Sequence, residues 1–335
     1  MFIKIEEAIE RLRRGEMLVM ADAQDRENEG DIIFAASSCS KERVNFLLNE
    51  ARGVICVSLA QDLAQKLELP LMVESNSSKH ETAFTITVDA KDALTGVSTA
   101  ERHETISLFA KKDVKADDFV RPGHINPLIA KPGGVLQRAG HTEGSVDLCL
   151  LAGLEPACVI CEILRPDGEM ARRDDLAIFC KKHDLAMVTI EDLIAYRLAN
   201  EELIRLAASE DKACVAGKSA KKLTYQDAWG ARHQVFAFEG KSGAKALNER
   251  NLVKFYPAKT DLISDPSFCD FLEDLDVLEK EGGFLIFVPE KSKDEKSYSA
   301  GALLLRALGL RRIRVLSRSK PAQLSWLKGF DLELV

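Results

Sequence analysis

No apolar run in the 335-residue chain approaches the ~18 residues of a membrane span, so none is expected. The opening "MFIKIEEAIERLRRGE" places acids where a signal peptide needs an apolar core. It reads as an amphipathic helix, and the cytoplasm is the expected compartment. There is no basic excess: the net charge of −7 argues against general nucleic-acid binding. The arginines of "LRRIRVLSRSK" alternate and read as a solvated strand face. No disulfide frame is apparent either. The eight cysteines (Cys39, Cys56, Cys149, Cys158, Cys161, Cys180, Cys214 and Cys269) are scattered, mostly inside apolar strings. In a cytosolic chain that pattern reads as buried thiols. Cys158 and Cys161 form a C-x-x-C, but on a strand they point to opposite faces, which speaks against zinc. Repeats and low-complexity tracts are missing.

Hydrophobic residues at 46% and charged residues at 30% are ordinary for a soluble protein, and the length suits about two domains. Ile5, Ala8, Ile9 and Leu12 are spaced as one helix face, ended by Gly15. "MLVMA", "DIIFAA", "VICVSLA", "AFTITVD", "CVICEIL" and "AMVTI" read as strands, and "AFTITVD" alternates with Phe84, Ile86 and Val88 on one face. Helices are expected after Ser40, from Ser98 or Thr99, after Gly140 and over Arg173 to Lys182. Another is expected from about Thr189. "ESNSSKHET" reads as a mobile polar loop. Past residue 200 the texture turns to small residues and lysine. The expectation is an α/β (α+β) chain with a domain over 1–200, a linker over 201–221 and a second domain over 222–335.

"DRENEGD", residues 25 to 31, packs four carboxylates and an arginine between two apolar strands. A solvated turn is one reading. A cation site is the other, because clustered acids repel unless something positive holds them. Two more polar clusters follow. "RPGHINP" holds His124 behind a Pro-Gly turn. "QRAGHTEG" brings Arg138, Gly140, His141, Thr142 and Glu143 to a helix start, where Thr142 could cap and the backbone N–H groups could cradle a phosphate. A carboxylate and an imidazole from separate loops can share a divalent cation. Each histidine alone could be structural. Glu162, inside "VICEIL", must end its strand at a site or be paired, for instance with Arg165 or Arg172. Burial would raise its pKa, which suits a general acid or base.

"DRENEGD", "TGVS", "RPGHINPL", "GGVLQRAGHTEGSVDL", "CEIL", "DGEMAR" and "MVTIEDLIAYR" occur in one order. Together they closely resemble 3,4-dihydroxy-2-butanone 4-phosphate synthase of riboflavin biosynthesis, over about residues 3 to 198. The resemblance implies a mixed sheet with surrounding helices and a magnesium- or manganese-dependent homodimer with active sites between subunits. It implies conversion of ribulose 5-phosphate to formate and 3,4-dihydroxy-2-butanone 4-phosphate. It assigns Glu27 and His141 to the metal, and His124, Glu162 and Asp31 to catalysis. Substrate contacts fall on Arg26, Glu27, Asp31, Thr95, Ser98, His141 and Glu162. The phosphate run is Arg138, Ala139, Gly140 and Thr142, and Cys56 lies near the site.

Residues from about 222 onward resemble the GTP cyclohydrolase II domain to which this synthase is often fused. "AWGARHQVFAFEGK" looks like its opening strands, and "SAGALLLRALGLRRIRVLSRS" and "LKGFDLELV" look like its closing helix and strands. That family's zinc loop has three cysteines, yet "KFYPAKTDLISDPSFCDFLED" offers only Cys269. Where its "RQEGRG" run is expected, this chain has "EKSKDEKSYS". Without three thiolates no such zinc site forms. The second domain is therefore expected to be a smaller, degenerate α/β cyclohydrolase-like fold without that activity. A bifunctional enzyme and a catalytically dead sugar-phosphate-binding regulator are the rival readings.

Overall fold

The computed structural model describes residues 2–24, 26–240, 251–258, 268–289, 297–316, 330 and 332–334. It divides into Met1–Tyr196 and Arg197–Val335. The first unit runs α1 (Ile5–Arg13), β1 (Leu18–Ala21), β2 (Gly30–Ala35), α2 (Lys41–Phe46), β3 (Cys56–Leu59), α3 (Gln61–Lys66) and β4 (Val88–Ala90). It continues through α4 (Thr99–Leu108), β5 (Phe119–Ile129), α5 (His141–Leu151), β6 (Ala157–Glu162), α6 (Arg173–His183), β7 (Ala186–Thr189) and α7 (Ile190–Asn200). Its seven strands lie in the order β4-β5-β3-β6-β2-β1-β7. The β3–β5 and β1–β7 pairs are parallel, and the other four are antiparallel.

The central strands are apolar throughout because both faces are covered. β1, β2 and β3 are buried at every position. On one side α5 packs on β1, β2, β3 and β6, and α1 packs on α5. The opposite side holds a core of Val19, Ile32, Phe34, Val57, Leu59, Val159 and Cys161 with Val44, Ile106 and Leu176 from the helices. Phe34 is fully buried there, with the Arg43 guanidinium 5.4 Å above its ring. Phe34→Ala is expected to cost about 3–5 kcal/mol through lost burial plus a cavity. Urea unfolding should show a lower midpoint with an unchanged slope; an unchanged midpoint would contradict this core.

The second unit has β8 (Ile204–Val215), β9 (Lys218–Asp227), β10 (Arg232–Phe238), β11 (Leu252–Ala258), α8 (Phe268–Glu281), β12 (Gly283–Pro289), α9 (Ser297–Ala307), β13 (Arg312–Val315) and β14 (Glu333–Leu334). They form a second seven-stranded sheet, β14-β13-β11-β12-β10-β9-β8. Phe236, Phe238, Tyr256 and Leu285 of the sheet pack on Phe271, Leu275 and Leu278 of α8.

Several expectations are corrected. The stretch 201–221 is no linker: it forms β8, the turn and the start of β9, paired from Ile204↔Asp227 to Val215↔Lys218. The hairpin was hidden because most of β8 is exposed and carries no apolar alternation. "AFTITVD" is a strand only from Val88. Before it the chain makes single bridges, with Thr85 buried and Phe84 partly exposed, the reverse of the alternation. The apolar stripe of α8 was not recognised. Cys214 and Cys269 are exposed, whereas the other six cysteines are buried; all eight are free. Of the stretch 254–274, where the cyclohydrolase zinc loop is expected to be missing, residues 259–267 lie outside the described residues, as do 290–296 of "EKSKDEKSYS" and Asp25.

Candidate active site

Asp22 closes the acidic loop. It directly follows β1, is 2% exposed, and accepts from the backbone N–H groups of Glu27 (3.0 Å) and Glu29 (2.8 Å) and from Arg26 Nη1 (3.0 Å). Asn28 turns in the left-handed region at φ 56°, a conformation asparagine tolerates better than most residues. Arg172, ahead of α6, grips the loop from outside by donating to the carbonyls of Glu27 (2.7 Å) and Asn28 (2.8 Å). The loop is thus fixed, which the solvated-turn reading does not require.

Helix α5 brings His141 to this loop. Gly140 is the N-cap and Thr142 lies in the first turn, buried, so the expected threonine cap is corrected. An added Cβ on Gly140 would sit 2.3 Å from Arg138 Nη1, so the guanidinium that pairs with Glu143 would have to shift. His141 Nδ1 lies 3.7 Å from Glu27 Oε2 and 3.9 Å from Asp31 Oδ1. Burial works against its protonation, but Asp31 and Glu27 outweigh that and hold it up to about 9. Burial would raise Glu27, yet His141 and Arg26 pull it down to about 2. Burial dominates at Asp31, pushing its carboxyl up to about 7 against the opposing pull of His141.

Asp22, Glu27 and His141 each bring a ligand atom within 4.8 Å of the others. Asp22 is already committed to three donors. Asp31 Oδ1 and His141 Nε2 are buried with no hydrogen-bond partner. Partnerless buried polar atoms on Asp31 and His141, next to the Asp22–Glu27–His141 cluster, fit a bound dication.

The sheet register brings the remaining candidates together. Asp31 is directly opposite Glu162. Cys56 is opposite Asn126 on one side and Ile160 on the other. Glu162 lies two positions beyond Ile160, on the Cys56 face, and His124 lies two positions before Asn126, at the same end of the sheet but within the β4–β5 register irregularity. Glu162 stands at the end of β6 and accepts from the backbone N–H of Val54 at 2.8 Å. Arg165 is held by Asp167 and Arg172 by the acidic loop, so the arginine pairing considered for Glu162 is not formed. Burial, then Glu162 and Asp31, push the Cys56 thiol up, which keeps it protonated.

Arg138 donates to Glu143 (2.6 Å), to the carbonyl of His80 (3.1 Å) and to Thr82 Oγ1 (3.2 Å). His80 and Thr82, at the end of the 74–82 loop, are therefore held to Arg138. His80 Nδ1 stands 3.5 Å from Glu27 Oε1. Ala139 precedes the α5 cap. Thr95 and Ser98 both donate to Glu101 Oε2, at 3.1 and 2.9 Å, and Ser98 caps α4. The backbone N–H of Thr95 first, then that of Leu94 and the Ser98 hydroxyl, lower Glu101 to about 2. A depressed carboxylate contributes stability above its unfolded pKa and loses it as pH falls toward the folded one. Glu101→Gln should lower the urea midpoint at pH 6, with the gap to wild type narrowing as pH falls from about 4.5 toward 2. A pH-independent gap would contradict this reading.

Sequence reasoning missed Asp22, His80, Asp89 and Glu101. Asp22 carried a signal, a carboxylate ending an apolar strand as Glu162 does. His80 lay in a loop with no periodicity to mark it.

The 3,4-dihydroxy-2-butanone 4-phosphate synthase family model matches residues 6–196. A Campylobacter jejuni protein named 3,4-dihydroxy-2-butanone 4-phosphate synthase is 52% identical, covering 99% of this chain and 98% of that one. The crystal structure of a two-domain 3,4-dihydroxy-2-butanone 4-phosphate synthase from A. baumannii matches with a TM-score of 0.74 at 34% identity, over 99% of both chains. A synthase structure in complex with two magnesium ions matches with a TM-score of 0.58 at 37% identity, over 59% of this chain and 98% of that one. With its acidic loop, helix-borne histidine and strand-end glutamate on the matched sheet, the chain belongs to the 3,4-dihydroxy-2-butanone 4-phosphate synthase family.

Proposed function

We propose that the chain converts D-ribulose 5-phosphate to formate and L-3,4-dihydroxy-2-butanone 4-phosphate, a carbon–carbon lyase reaction of riboflavin biosynthesis. The observation that carries the reading is the meeting of Glu27, His141 and Asp31, with Glu162 directly opposite Asp31 in the sheet. A bound magnesium or manganese ion would stabilise negative charge developing on the substrate oxygens. Glu27 and His141 would hold it. Arg138 and the N–H groups opening α5 bind the phosphate, with Ala139, Gly140 and Thr142 lining the approach. Arg26, Thr95 and Ser98 orient the hydroxylated carbons. Enolisation needs a base beside an acidic C–H, and the later cleavage needs protons returned; Asp31, Glu162 and His124 are the groups that can move them. Atoms balance without added water: the five-carbon phosphate yields formate and the four-carbon phosphate.

The second unit is proposed to lack GTP cyclohydrolase II activity and to need no zinc, on the strength of the missing cysteine pair in the sequence. The chain is proposed to work in the cytoplasm as a homodimer with shared sites, without nucleic-acid or membrane partners. Exposed Leu71, Met72 and Val73 supply apolar surface for such a contact. The test follows formate release from ribulose 5-phosphate with magnesium, and separately with GTP. Formate from the sugar phosphate and none from GTP is the expected result. Binding of the sugar phosphate without formate would favour a regulator instead, and formate from GTP would favour a bifunctional enzyme.

A further inference from the structure

Asp89 was not among the candidate residues, and its surroundings are unusually constrained. It lies in β4 at a register irregularity between Val88 and Asp89. Its carboxylate is almost wholly buried, with the side chain 8% exposed. Both oxygens serve one residue: Oδ1 accepts from the His124 backbone N–H at 2.9 Å, and Oδ2 lies 2.7 Å from His124 Nδ1. Two glycines make room for the pair. A Cβ on Gly96 would fall 2.0 Å from Asp89 Oδ2 and 2.7 Å from His124 Nδ1, and Gly96 has a φ of 75°. A Cβ on Gly123 would fall 2.2 Å from the Asp89 nitrogen. The imidazole remains 46% exposed, and among the described residues no side chain or backbone group is bonded to its Nε2.

A carboxylate only accepts hydrogen bonds when ionised, so Nδ1 must carry the proton that points at it. The second ring nitrogen is then left as a bare acceptor facing outward, the form a general base requires. We propose that Asp89 is a positioning residue that fixes His124 in its Nδ1–H tautomer, with Nε2 directed to the substrate. This rests on the reading of His124 as a proton-moving group.

Asparagine at 89 has one acceptor where the site uses two. If that oxygen stays on the His124 backbone N–H, the amide nitrogen faces Nδ1 and enforces the opposite tautomer. Asp89→Asn should therefore lower kcat for formate release on the order of 10²-fold or more, as loss of a tautomer-setting carboxylate does elsewhere. KM should stay within about twofold, since the residue does not touch substrate. Nitrogen-15 spectra of the histidines, with His124 assigned by the signal lost in His124→Gln, should show Nδ1–H in wild type and a shift toward Nε2–H in Asp89→Asn. A wild-type His124 in the Nε2–H form overturns the proposal even if Asp89→Asn fails to fold. So does full activity in Asp89→Asn while His124→Gln is inactive, an outcome that leaves the catalytic reading of His124 standing. Loss of kcat accompanied by an equal rise in KM and a lower unfolding midpoint would make Asp89 merely structural, which also overturns it. An active His124→Gln removes the catalytic reading itself, while the wild-type tautomer still decides the geometry.

Discussion

Glu27→Ala and His141→Ala are each expected to reduce formate release from ribulose 5-phosphate by at least about 10³-fold. A metal acting on substrate oxygens contributes several kcal/mol of transition-state stabilisation, and each 1.36 kcal/mol is tenfold in rate. The two variants should fail differently. Glu27 is partly exposed, so its removal opens the ion site with little disturbance to the core. His141 is buried, with Nδ1 3.9 Å from Asp31 Oδ1, and would ligate the ion as the neutral imidazole. Its loss removes a buried ring and leaves a cavity beside Asp31. Isothermal titration with magnesium should show binding weakened in both variants. Circular dichroism should show both variants folded, and urea unfolding should show Glu27→Ala destabilised by the loss of its pairing with Arg26 and His141, and His141→Ala destabilised further by its buried cavity. Formate release at the wild-type rate from either variant would sink the metal assignment.

The site was legible wherever chemistry left a mark against a periodic background. Glu162 stood out in an apolar strand, and the acidic loop stood out between two. Gly140 and His141 opened a clear helix. These features are local: helix α5 is buried all round from His141 to Cys149, and its glycine N-cap sets where His141 falls. What stayed hidden depended on contacts distant in sequence. Asp89 looks like an ordinary polar residue in an alternating strand, until β4 and β5 pair and set it against His124, 35 positions away. His80 reaches Glu27 only because Arg138, 58 residues on, ties down its carbonyl. The β8–β9 hairpin failed for a related reason. Its outer strand is solvated on both faces, so pairing rather than burial makes it a strand, and no apolar period records that. "AFTITVD" was misread the other way. Its alternation is real, but Thr85 is drawn inward by donating its hydroxyl to the carbonyl of Pro127 at 3.2 Å.

Glu162→Gln is expected to lower kcat for formate release by about 10²–10⁴-fold, the span general acid–base groups cover, with the fold and the ion site retained. The substitution isolates proton transfer because glutamine is nearly the same shape. Its amide oxygen can still accept from the Val54 N–H, the 2.8 Å bond that Glu162 Oε2 makes now. If holding Val54 were the residue's whole contribution, the variant would be silent. A carboxylate kept only for charge balance would show itself in an ion pair, yet Arg165 and Arg172 are engaged by other partners. What remains is a carboxylate at a strand end, opposite Asp31, with a second oxygen available to a substrate proton. Magnesium affinity and the urea midpoint should match wild type while single-turnover formate release slows. A variant that turns over at the wild-type rate would remove Glu162 from the chemistry and leave Asp31 and His124 to carry it.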